Sequence, residues 1–143
     1  MILEVKGIKK TFDKTEILHG ISFTVQSGKA MGFLGRNGAG KTTTFRCLMN
    51  VFKQTEGEFL LDGKPFDVNQ NHIGYLPEER GMYAKVSLKD QLAYFAKLKG
   101  ADNKKAAEEA EYWIDYFGLK EYTNKKLETL SKGNQQKIQI AQA

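Results

Sequence analysis

The chain has little with which to cross-link, anchor or metallate itself. A single cysteine, Cys47, excludes an internal disulfide, and its place beside apolar neighbours marks it as a small core residue rather than a reactive thiol. Two histidines, His19 and His72, complete no metal-ligand cluster, and each reads as a surface or strand-end residue. No apolar stretch approaches the roughly 20 residues of a membrane span. The opening Met1-Ile2-Leu3-Glu4-Val5-Lys6 lacks the charged-then-apolar layout of a signal peptide. A soluble, cytosolic chain is therefore expected. Acidic residues are in slight deficit, 17 against 22 Lys+Arg for a net charge of +5. The lysines fall in scattered pairs, Lys9-Lys10, Lys104-Lys105 and Lys125-Lys126, without an arginine stripe or an RNA-binding aromatic motif. Solvated surface is the reading, and no nucleic acid is expected. With 41% hydrophobic residues over 143 positions, the chain can still bury a sizeable core.

What is present is a loop. Gly35-Arg36-Asn37-Gly38-Ala39-Gly40-Lys41-Thr42 matches G-x-x-x-x-G-K-[ST] in full. Glycines let successive backbone N–H groups turn toward one point, which makes a nest for an anion. Lys41 would reach the β- and γ-phosphates, Thr42 would hold Mg²⁺, and the following helix would aim its positive end at the same charge. The expected ligand is ATP with Mg²⁺, bound by Gly35, Arg36, Asn37, Gly38, Ala39, Gly40, Lys41, Thr42 and Thr43. Context agrees: Ala30 to Leu34 is a short apolar run suited to a buried strand, and Phe45, Leu48 and Met49 share one face of a helix after the loop.

Around this loop the pattern predicts strands at Ile2 to Thr11 and Ile17 to Val25, with a turn at Asp13-Lys14. Gly57 to Leu61, the turn pair Asp62-Gly63 and Lys64-Pro65-Phe66 predict a hairpin. His72 to Leu76 is a further buried-strand candidate, stopped by Pro77. Past Gly81 the texture becomes helical. Ser87 caps a helix with Leu88, Leu92, Phe95 and Ala96 on one face and Gly100 at its end. A second helix from Asn103 to Phe117 carries Ala106, Ala110, Trp113, Ile114 and Phe117 as a core stripe, with Tyr112 and Tyr116 beside it, and stops at Gly118.

The last segment, Leu130-Ser131-Lys132-Gly133-Asn134-Gln135, resembles the L-S-[GK]-G-[QN]-Q signature of ATP-binding-cassette (ABC) ATPases. The resemblance extends over the chain. Phe12 matches the aromatic position that stacks on adenine, Tyr75 to Gly81 stands where the family has its Q-loop, and the two helices occupy the place of its helical subdomain. Among such proteins it looks most like nucleotide-binding subunits of bacterial ABC-2-type exporters, including those linked to sodium efflux. The resemblance implies a P-loop α/β fold with an antiparallel β layer and a helical subdomain, incomplete in this chain. Its divisions would be 1–80 for the β layer and P-loop core, 81–130 for the helical subdomain and 131–143 for the signature and the start of its helix.

A serine hydroxyl and a glycine at a helix N-terminus make a second phosphate-binding end. The resemblance implies a head-to-tail dimer in which Ser131, Lys132, Gly133, Asn134 and Gln135 of one subunit meet the ATP held by the other. It also implies an integral membrane permease as partner and a cytoplasmic position at the inner face of the membrane. At the Q-loop position the sequence has Glu78 in place of the usual glutamine. A carboxylate there is a possible Mg²⁺ ligand but cannot donate a hydrogen bond. Lys41 and Glu78 are thus the candidate catalytic residues.

The family's Walker B strand, ending in Asp-Glu, and its switch histidine would follow the signature and are not in these 143 residues. Little hydrolysis by this polypeptide is expected, since phosphoryl transfer rests on positioning and electrostatics. Self-association or incomplete folding is expected too, through a P-loop strand that has lost its neighbours. Two other readings are a soluble ABC-type ATPase acting on nucleic acid or ribosomes, and a non-catalytic nucleotide-binding module.

Overall fold

The computed structural model describes residues 1–77 and 81–143. It divides into two compact units, Met1–Ile73 and Gly74–Ala143. In the first, β1 (Ile2–Phe12) and β2 (Thr15–Gln26) form a long antiparallel hairpin closed at Asp13-Lys14. Strand β3 (Glu56–Leu61) pairs with the other edge of β1, and the short β4 (Lys64–Pro65) follows, giving the order β2-β1-β3-β4. The β3–β4 connection is Asp62-Gly63, with φ of 50° and 76°. Both central residues in the left-handed region is what a two-residue hairpin of right-twisted strands requires.

One side of this sheet gathers Val5, Ile8, Leu18 and Phe59 with Cys47 into a core. Cys47 comes from helix α1 (Lys41–Leu48) and is 3% exposed. The expectation for α1 needs correction. Its buried positions are Thr44 and Cys47, while Phe45 is exposed and touches the Phe33 ring edge-on. A threonine can replace an apolar residue there because its hydroxyl donates to the Gly40 carbonyl at 2.9 Å, one turn back, and so is buried satisfied.

Two predicted strands do not form. Residues 30–34 run without a ladder partner, with Leu34 94% exposed, and His72 to Leu76 is likewise irregular and part-exposed. An apolar run supplies a preference for extended backbone, but a strand also needs a neighbour's donors and acceptors. In this sheet β1 is paired on both edges, and no described strand lies beside 30–34.

The second unit is helical. Ser87 caps α2 (Leu88–Leu98), Asp102 caps α3 (Asn103–Tyr116) and Ser131 caps α4 (Lys132–Gln142), each by accepting a first-turn backbone N–H. Leu88, Leu92, Ala110, Ile114, Leu119, Leu127, Leu130 and Ile138 form its core, with Trp113 and Phe117 packed against them. Tyr112 and Tyr116, beside that stripe, remain open to water.

Candidate functional site

The phosphate-loop sequence builds an exposed loop that ends at the N-terminus of α1. Gly38 and Gly40 both sit at φ of 83°, a conformation other residues rarely adopt. At Gly40 space is short as well, since a Cβ would overlap the end of the Leu18 side chain. The β2 strand therefore seats the loop's last turn, and at φ of 83° a side chain here would have to push Leu18 aside. No side chain caps α1, so the N–H groups of its first turn point out from the helix end without an intrahelical acceptor. That is the donor set an anion needs.

Lys41 lies in the mouth of this loop. Its ammonium donates to the Gly35 carbonyl at 2.6 Å and the Arg36 carbonyl at 2.9 Å, holding the cation beside the first-turn N–H groups. A phosphate entering the loop would compete with these carbonyls for the same cation. Thr42 and Thr43 follow within the first turn, Thr42 exposed, so its hydroxyl is accessible to a metal ion carried in with the phosphates. Among the described residues no group of three or more His, Cys, Asp or Glu side chains gathers into a metal site. This donor set fits Mg²⁺, which keeps phosphate oxygens and water as most of its ligands. Glu78 lies outside the described residues.

Phe12 ends β1 opposite Thr15 at the tip of the hairpin, and Ile17 and Leu18, just beyond on β2, are the residues that meet Gly40. The aromatic position and the loop thus occupy one end of the first unit. Phe12 is 41% exposed and meets Phe52 edge-to-face, with centroids 5.1 Å apart. The Lys10 ammonium stands 4.8 Å from the Phe12 centroid and 5.2 Å from that of Phe52. Neither Lys10 nor Phe52 was among the sequence candidates. The strand period of two, which puts residues 10 and 12 on one side of β1, is the signal that could have found Lys10. Behind them the Cys47 thiol is pushed above its ordinary pKa by burial, with nearby Lys10 opposing the shift.

The signature residues belong to the second unit. Ser131 accepts from the Asn134 N–H at 3.3 Å, and Ser131, Lys132 and Gly133 are exposed. An added Cβ at Gly133 would meet no atom of the described residues within 4 Å, so none of them requires a glycine there. The side-chain amide of Gln135 donates to the Leu127 and Leu130 carbonyls at 3.1 and 3.0 Å, tying α4 to the turn before it. With Leu130 buried beneath, this holds the exposed Ser131–Gly133 cap on a rigid base.

Comparison with known proteins agrees with this geometry. The ABC transporter family profile matches residues 18–143. An uncharacterized ABC transporter ATP-binding protein of Bacillus subtilis, YhaQ, is 44% identical over 99% of the chain and 48% of its own length. A solved structure from Pyrococcus furiosus, described as an ABC transporter ATP-binding protein, superimposes with a TM-score of 0.76 at 30% identity, covering 99% of this chain and 69% of that one. CbiO1 of Clostridium perfringens, part of the transporter complex CbiONQ, shares the fold at a TM-score of 0.73 and 21% identity, over 98% of this chain and 59% of its own. The chain spans about half the length of the curated relatives it matches. Loop, helix end, signature cap and these likenesses converge, and the chain belongs to the ABC transporter ATP-binding family, with its α/β ABC-ATPase fold.

Proposed function

We propose that this chain is the ATP-gripping part of an ABC transporter subunit that couples ATP binding and hydrolysis to export through a separate integral membrane permease. The observation that carries the proposal is the uncapped N-terminus of α1 with the Lys41 ammonium held beside it. There the triphosphate meets converging N–H donors, a cation and a helix dipole together. Phe12 stacks on adenine, Thr42 holds Mg²⁺, and Glu78 stands at the Q-loop position as a second possible ligand. Bound Mg²⁺ would neutralise charge on the β- and γ-phosphates. The exposed Ser131, Lys132 and Gly133, with Asn134 and Gln135 behind them, face the ATP of a second subunit in a head-to-tail dimer.

No helix among the described residues is long and apolar enough to cross a membrane. Placement at the inner face of the cell membrane would come through the permease. CbiO1 belongs to a transporter complex, which supports this kind of assembly. Hydrolysis requires a group to polarise water, and the 143 residues contain no Asp-Glu pair. Residues 1–143 by themselves would hold MgATP with little turnover.

Calorimetry with MgATP tests the site. Lys41→Ala should weaken binding at least about tenfold, the loss of a charge-assisted contact. Unchanged affinity would refute the assignment. Purification of the full-length gene product tests the role: it should bring down an integral membrane protein, whereas ribosomes or nucleic acid in its place would point to a soluble ABC ATPase.

A further inference from the structure

The Phe12 ring does not stand alone at the end of β1. Phe52, which packs on the core of the first unit, meets it at 83° between ring planes. The Lys10 ammonium stands over both rings and donates to the Lys53 carbonyl at 2.6 Å. Two further bonds tie the same stretch of chain to β1: the Thr55 N–H donates to the Lys9 carbonyl at 2.8 Å, and the Thr11 N–H to the Thr55 hydroxyl at 3.0 Å. This strap is the direct continuation of α1, with the Val51 N–H still bonded to the Arg46 carbonyl at 2.9 Å.

We infer that Lys10 and Phe52 are positioning residues for nucleotide binding: they clamp the Phe12 ring and join it, through residues 50–55, to the helix whose other end faces the phosphates. The inference rests on the reading of Phe12 as the adenine platform and goes beyond it. An exposed aromatic side chain at a hairpin tip would otherwise sample several rotamers and lose that freedom on binding a base. The clamp fixes it beforehand. Phe52 blocks rotation by its bulk, and a cation against a ring is held by the ring's quadrupole. A cation close to the ring also draws π density toward itself, which favours stacking of an electron-rich purine on the surface left open. Because the strap begins where α1 ends, the separation of base platform and phosphate nest is set by one continuous segment.

The test compares ATP with inorganic tripolyphosphate, which has the charge and lacks the base, on the full-length gene product by calorimetry. Lys10→Met, which keeps the aliphatic stem, should weaken ATP about threefold and leave tripolyphosphate unchanged. Lys10→Arg should restore ATP affinity, and Phe52→Leu should show the same base-only loss as Lys10→Met. Equal loss of both ligands in Lys10→Met would make Lys10 a phosphate contact and overturn the inference. So would unchanged ATP affinity in Lys10→Met alongside a base-only loss in Phe12→Ala. If Phe12→Ala itself alters neither ligand, or both alike, the adenine reading fails and takes this inference with it, and the Phe12 variant distinguishes the two failures.

Discussion

Gly40 meets two constraints at once, a left-handed backbone and a packed neighbour. Gly38 has the same φ of 83°, yet an added Cβ there meets nothing within 4 Å. The pair therefore separates backbone strain from crowding. Gly38→Ala should cost about 1–2 kcal/mol, the left-handed penalty alone. Gly40→Ala adds the overlap with Leu18, and overpacking of this kind typically costs another 1–3 kcal/mol or so. Urea unfolding followed by far-UV circular dichroism should place Gly40→Ala well below Gly38→Ala. Equal midpoints would mean that Leu18 moves aside freely and that β2 does not seat the loop.

At the scale of elements, each α-helix described in the second unit starts at a side-chain cap. The Asp102 carboxylate accepts the Lys105 N–H at 2.8 Å and lies at the positive end of α3. Asp102→Ala should cost about 1 kcal/mol, while Asp102→Asn should cost less, since it keeps the acceptor and loses only the charge at the dipole. The single tryptophan, Trp113, is in the same helix and packs on that core, so its fluorescence reports the transition. Identical midpoints for both variants and the parent would show that the bond is worth nothing.

The same elements show what sequence can and cannot carry. Alternation from Ile2, the Asp62-Gly63 turn, the Ser87 cap and the Ala106–Ala110–Ile114 stripe are local signals, and each became the element that it predicted. The loop before α1 was legible for the same reason, because its pattern lies in consecutive residues. Residues 30–34 and His72 to Leu76 failed as strands because pairing is a property of neighbours. The burial of Thr44 in place of Phe45 depended on a carbonyl one turn away. Lys10 was legible in the strand period but not read from it, whereas Phe52 lies far along the chain from Phe12 and only the fold brings the two rings together.

At the scale of the molecule, the N-terminal ends of α1 and α4 are built differently. The α1 end has no side-chain cap, and its N–H groups are available to a ligand that enters its own loop. The α4 end is already capped by Ser131, and its exposed Ser131, Lys132 and Gly133 form a surface rather than a nest. In the proposed dimer, such a surface would add a hydroxyl, a cation and close backbone approach to an anion already held by the other subunit. That division suits a composite site in which one subunit grips the triphosphate and the other closes over it. Ser131→Arg places a long side chain where the approach must be close, in a unit separate from the phosphate loop. The full-length variant should bind MgATP with parental affinity by calorimetry. Light scattering should then find it monomeric in ATP, under conditions where the parent forms a dimer. Ser131→Ala, which removes the hydroxyl without adding bulk, should dimerise more weakly than the parent but not fail outright. An ATP-dependent dimer of undiminished strength in Ser131→Arg would show that this cap does not face the nucleotide of a second subunit.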